Sequence, residues 1–253
     1  MTSTLGILFA ATALLYAAVG FGGGSTYNAL LVLSEVDYRL VPAIALTCNI
    51  IVVAGGVWRF QQEDALPLKR MLPFLAASVP AAWLGGRIPI PELVFIGLLG
   101  SALLFAGTRL LLFSSPSSRE GNVQTMPVWQ SFGIGSAIGG LAGLVGIGGG
   151  IFLAPILYLT HWGTPRQIAG GCCLFIFFNS LSGLFGQGMK LAESGLATSL
   201  VTYWPLAVGV FVGGQLGSWL GSAKLQPEWI KRLTAVLILY VAGRLLLRVL
   251  TNF

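Results

Sequence analysis

Val145-Gly146-Ile147-Gly148-Gly149-Gly150 repeats, 126 positions later, the pattern of Val19-Gly20-Phe21-Gly22-Gly23-Gly24. Each copy lies in the middle of a long apolar run, about Thr4–Leu33 and Val128–Leu159. Some thirty helical residues would rise about 45 Å, against a hydrocarbon core of about 30 Å. Neither run therefore fits as one straight span. Glycine is about 1 kcal/mol worse than alanine inside a helix, so three in a row predict a break. In lipid, a break leaves peptide N–H and C=O groups without partners. It survives only where protein or a water-filled cavity surrounds it. The sequence thus predicts two broken helices, in corresponding places, each with its new N-terminus held inside the protein.

The rest of the chain requires a bilayer. Of 253 residues, 55% are hydrophobic and 9% charged, with a mean hydropathy of +0.85. A soluble domain carries about 25% charged residues, so too few are present here to cover a water-facing surface. Six further apolar segments follow the same rhythm: about Ala43–Trp58, Met71–Gly86 and Leu93–Phe113, then Ile168–Gly186, Thr198–Gly221 and Leu233–Leu250. Leu72-Pro73 is matched by Trp204-Pro205, and Leu104–Arg109 by Leu239–Arg244, at slowly growing offsets. The expected fold is an all-α integral membrane protein of two four-segment repeats, 1–113 and 127–253, joined by a Ser- and Pro-rich linker, 114–126. No cleavable leader is expected, since no basic stretch precedes the first apolar run.

Charge sets the expected topology. All eight acidic residues, from Glu35 to Glu228, fall between apolar runs. If each broken segment returns to the side it came from, each half makes three full crossings and the second half is inverted. Arg59, Lys69, Arg70, Arg109, Arg119, Arg166, Lys224, Lys231 and Arg232 then share one side, and Arg39, Arg87, Lys190 and Arg248 the other. The positive-inside rule puts the richer side in the cytoplasm and both termini outside it. The net charge of +6 is thus a property of loops and of anionic lipid contact, and no nucleic-acid partner is implied.

An exposed helix N-terminus presents free N–H groups and a partial positive charge. Two of them suit an anion. The candidate substrate-binding residues are Gly22, Gly23, Gly24 and Gly148, Gly149, Gly150, with Ser25, Thr26 and Asn28 after the first break. Ile151, Phe152 and Ala154 follow the second, so the pocket is expected to be asymmetric. Asn49 and Asn179 lie inside the second segment of each half and need partners there; joining helices and lining the cavity are equally open to them. Cys48 and Cys173 occupy similar depths, with a thiol donor set against simple packing as their role. Arg109 and Arg244 are expected to reach the interface. A cation pathway usually shows carboxylates inside the membrane, and the apolar runs contain none.

A GxGGG in the first segment of both four-segment repeats, with Pro155 five residues after Gly150, resembles the TauE/SafE sulfite exporter family. Arg166 with Ala169-Gly170-Gly171 resembles its stretch after the second motif. The first copy departs from it, with Ala29 at the proline position. The resemblance implies a secondary transporter in a bacterial-type cytoplasmic (inner) membrane that exports sulfite or a related sulfur-containing anion or organosulfonate. An anion channel and a non-transporting partner in a membrane complex are the alternatives. Homo-oligomerisation is left open. No cofactor or metal site is expected, because the three cysteines form no CxxC and the one histidine, His161, falls in a loop. An intramembrane protease is disfavoured on the same grounds.

Overall fold

A computed structural model describes residues 2–18, 21–112, 126–220 and 227–251. Val19 and Gly20 of the first glycine motif lie outside these, as do Phe113, linker residues 114–125, Arg119, Gly221 and Lys224. Among the described residues the chain is helical, in the order α1 (Thr2–Ala18), α2 (Gly24–Leu33), α3 (Val41–Gln62), α4 (Leu68–Arg87), α5 (Glu92–Leu112), α6 (Val128–Val145), α7 (Gly150–Leu159), α8 (Pro165–Glu193), a short 3-10 turn (Ala197–Tyr203), α9 (Trp204–Leu220) and α10 (Pro227–Thr251). Among the described residues, five stretches are long and apolar enough to cross a membrane: Val41–Gln62, Glu92–Arg109, Val128–Val145, Pro165–Glu193 and Ala197–Trp219. Trp58, Trp129, Phe185, Trp204 and Trp219 are exposed, as lipid-facing side chains should be. The protein is a multi-pass integral membrane protein.

Both expected breaks occur. The first run divides into α1 and α2, and the second into α6 and α7. Gly146 ends α6 in the left-handed region (φ 83°), where its N–H closes the last turn onto Ala142 O at 2.8 Å. Gly148 and Gly149 continue at φ 79° and 84°, and Gly23 precedes α2 at φ 81°. Only glycine adopts these angles without a steric penalty.

The helices pack through small residues. A Cβ on Gly135, Gly139 or Gly143 of α6 would strike the backbone of Phe74, Ser78 or Ala82 of α4. A Cβ on Gly209, Gly213 or Gly217 of α9 would strike Gly6, Ala10 or Leu14 of α1. Each series advances in step, so α4 runs parallel to α6, and α1 to α9. This close approach replaces the hydrophobic drive that lipid cannot supply between helices. Two other pairs run the other way. Gly183 of α8 packs on Leu46 of α3, and Cys173 on Gly56. Gly107 of α5 packs on Leu239 of α10, and Gly97 on Val249. Both pairs are antiparallel.

Ion pairs mark the two ends of the bundle. Arg166 meets Glu63 at one end, beside Arg70, whose guanidinium lies over the Trp162 ring. Arg87 meets Glu193 at 3.4 Å and Arg248 meets Glu92 at 3.0 Å at the other.

Candidate functional site

The α1–α2 segment is a hairpin. Phe21 N–H donates back to Tyr16 O, and Tyr27 of α2 stacks on Phe9 of α1 with centroids 4.8 Å apart. The Tyr16 hydroxyl is 3.0 Å from Thr26 Oγ1. α2 thus starts near the middle of α3 and returns to the end where α3 begins. α7 starts beside the middle of α8, where Ile176 lies against Gly150, and leads to the end where α8 begins.

The two helix N-termini meet. A Cβ on Gly24 would lie 2.8 Å from Ile147 O of the second break. Asn28 Nδ2 donates to Val145 O at 3.1 Å, tying α2 to the end of α6. Thr26 and Tyr27 donate to Gly23 O, and Phe152 and Leu153 to Gly149 O. The first two N–H groups of each helix, on Gly24 and Ser25 and on Gly150 and Ile151, have no acceptor one turn earlier, as at any helix start.

Between the breaks stands Asn49. Its Oδ1 would be 2.5 Å from a Cβ on Gly22, and its Nδ2 2.5 Å from one on Gly24 and 2.9 Å from one on Gly148. The residue is 0% exposed, and neither amide atom has a hydrogen-bond partner. Ser180 Oγ, 3.2 Å from the Cβ position of Gly148, is also buried and unpaired. A buried polar atom without a partner costs about 1–3 kcal/mol, and native proteins keep few of them.

The other candidate residues divide. Ser25 and Thr26 are buried beside the first break. Asn179 Nδ2 bonds back to Phe175 O at 2.8 Å within its own helix, leaving Oδ1 unpaired. Cys173 Sγ lies 3.7 Å from Val53 O and fills the space over Gly56, so it contributes to the α3–α8 contact. Cys48 is buried in the core. Gly23 packs against Tyr27, Thr12 and Tyr16, and Gly149 against Ile138 and Phe175. These two glycines make the turns, whereas Gly22, Gly24 and Gly148 face Asn49. Gln187 of α8 donates to Gly143 O at 2.9 Å and so satisfies a buried carbonyl in the last turn of α6. Tyr16, Tyr27, Ser180 and Ile176 were not selected from the sequence. Only the closeness of Tyr16 and Tyr27 to the GGG signalled them.

A family model for the sulfite exporter TauE/SafE matches residues 5–245. The chain is 31% identical over 251 residues to a probable membrane transporter protein, y4hK, from Sinorhizobium fredii (strain NBRC 101917 / NGR234), covering 96% of this chain and 97% of that protein. No solved structure matches.

Proposed function

Because the chain belongs to the sulfite exporter TauE/SafE family, and is a membrane transporter of that family, we propose that it is a secondary transporter that exports a small sulfur-containing anion, sulfite or an organosulfonate, through the junction of its two helix breaks. One observation carries this reading: the Asn49 amide is buried between both breaks with neither atom paired. Unpaired helix-start N–H groups converge on the same place. Donors of this kind hold an oxyanion without a full counter-charge, and release it again. Ser25, Thr26 and Asn28 follow the first break, while on the second half's side Ile176 and the Ser180 hydroxyl lie beside Gly148.

The same reading makes the halves, 1–113 and 127–253, inverted repeats about an axis in the membrane plane. Equivalent helices related by an axis along the membrane normal would run parallel. The antiparallel courses of α3 with α8 and of α5 with α10 support inversion. Inverted repeats with discontinuous helices at the midplane are a recurring transporter plan, in which the substrate binds where the breaks meet.

The test is binding of sulfite, thiosulfate, sulfoacetate, sulfate and plain carboxylates to the purified protein. Sulfur oxyanions should bind, and Asn49→Ala should weaken them by about tenfold, since two neutral hydrogen bonds of about 0.5–1.5 kcal/mol each are lost. Unchanged affinity in that variant would remove the junction as the site. Saturable counterflow in proteoliposomes would distinguish a transporter from a channel or a non-transporting partner.

A further inference from the structure

We propose that the junction takes its oxyanion as a singly charged species that still carries an O–H, so that the bound anion brings its own proton. The inference rests on the anion-site reading above and adds the protonation state. Two features of the junction argue for it.

The first is charge. Each helix N-terminus is equivalent to about half an elementary charge, so the two together balance about one negative charge. Among the described residues, no basic side chain lies in the middle of the helices around Asn49. On the helices around Asn49, the basic residues are Arg59 of α3 and Arg166 and Lys190 of α8, all toward helix ends. A dianion here would keep a whole charge buried and unbalanced, which is costly.

The second is the acceptors. Asn49 Oδ1 and Nδ2 are both unpaired, as is Ser180 Oγ beside them. The amide of Asn28 is oriented by its Nδ2 bond to Val145 O at the end of α6, so its unpaired Oδ1 is an acceptor as well. A fully ionised oxyanion has only lone pairs. It could satisfy Asn49 Nδ2 but would leave Oδ1 bare or face it with another acceptor. An acid group written O=X–O–H complements a carboxamide at both atoms. Its oxygen accepts from Nδ2, and its hydroxyl donates to Oδ1.

Among the described residues, no carboxylate or imidazole lies in the middle of the helices around the junction. Besides Arg59 of α3 and Arg166, Lys190 and Glu193 of α8, all toward helix ends, the ionisable side chains on the surrounding helices are Tyr16 (α1), Tyr27 (α2), Cys48 (α3), Tyr158 (α7), and Cys172 and Cys173 (α8); α6 and α9 carry none. Thiols and phenols ordinarily ionise near 8.5 and 10. Any pH dependence of binding between about pH 5 and pH 8 that persists in Lys190→Met therefore belongs to the ligand.

The experiment is titration calorimetry on the full-length protein in detergent, across that range, with four probes. Sulfite gains and loses its second proton; sulfate stays divalent; methanesulfonate stays monovalent without an O–H; dimethyl sulfone is neutral. We expect sulfite affinity to fall by about tenfold per pH unit once its second ionisation is passed, as linkage of one proton requires. Methanesulfonate should bind more weakly than sulfite at the acid end and be flat with pH, and sulfate should be weaker by at least roughly tenfold. Asn49→Leu should bring sulfite down to the level of methanesulfonate. Sulfite affinity that is flat or rises with pH, or sulfate matching sulfite, overturns the protonated form and leaves the anion site standing. Binding of no anion, or equal binding of dimethyl sulfone, instead overturns the anion reading itself.

Discussion

Asn49 spends stability to keep two hydrogen-bonding atoms ready, and that trade can be measured. Leucine has nearly the same shape as asparagine and no polar atoms. Replacing a buried, unpaired amide by an apolar isostere removes a penalty of about 1–3 kcal/mol. Asn49→Leu should therefore raise the thermal midpoint of the purified protein while weakening substrate binding. A lowered midpoint would mean that the amide is paired in the resting protein. Thr47, two residues earlier, behaves differently: its hydroxyl donates to Ala43 O at 2.8 Å within its own helix, so Thr47→Val should be close to neutral. Sequence placed both residues at mid-depth in one segment. It could not tell them apart, because a threonine closes its bond on its own helix while an asparagine depends on what the fold brings opposite.

The elements were the most legible level, and the glycines show why. A break is local: three residues without side chains destroy a helix wherever they sit, so α1 with α2 and α6 with α7 could be read in advance. What each glycine faces is not local. Gly149 has φ 84° and lies 2.8 Å, as a Cβ, from Ile138, so Gly149→Ala combines a left-handed strain of about 1–2 kcal/mol with a clash. It should abolish transport while membrane insertion persists. Gly24→Ala should do the same by displacing the Asn49 amide. Gly143→Ala would strike the Ala82 backbone and should fail earlier, at folding, seen as loss of monodisperse protein. Gly133 and Gly188 have nothing within 4 Å of a Cβ. Alanine there should be tolerated and add up to about 1 kcal/mol of helix stability. Normal flux with alanine at both Gly24 and Gly149 would reduce the motif to a packing device. The 3-10 turn at 197–203 is the element that the apolar pattern hid, since its residues continue the hydropathy of α9 and Pro205 at the join sits where a helix start accepts it.

At the scale of the whole molecule, the orientation is open to direct test. Single cysteines in the turn between α3 and α4, for example at Leu66, should react with a membrane-impermeant thiol reagent only from the cytoplasmic face. Cysteines in the turn between α4 and α5, for example at Ile90, should react only from outside. The native Cys48, Cys172 and Cys173 are buried and leave a low background. The reverse pattern would invert the assignment. The pairing of α1 with α9 and of α4 with α6 has a further consequence, for how the chain is made. α1 is synthesised first, and the glycine face that it packs on is more than 190 residues away at Gly209, Gly213 and Gly217. Throughout most of translation α1 sits in the bilayer without that partner, and α4 waits for α6 in the same way. Contacts so distant in sequence delay folding, and the first half on its own has no surface of its own to close them. A ribosome stalled anywhere before α9 would thus hold an open, degradable intermediate, and a chain ending at 113 should be cleared by membrane proteases unless 127–253 is supplied in trans to complete it. Quality control of this protein is in that sense decided at its last helices, after the residues that carry its chemistry are already in the membrane.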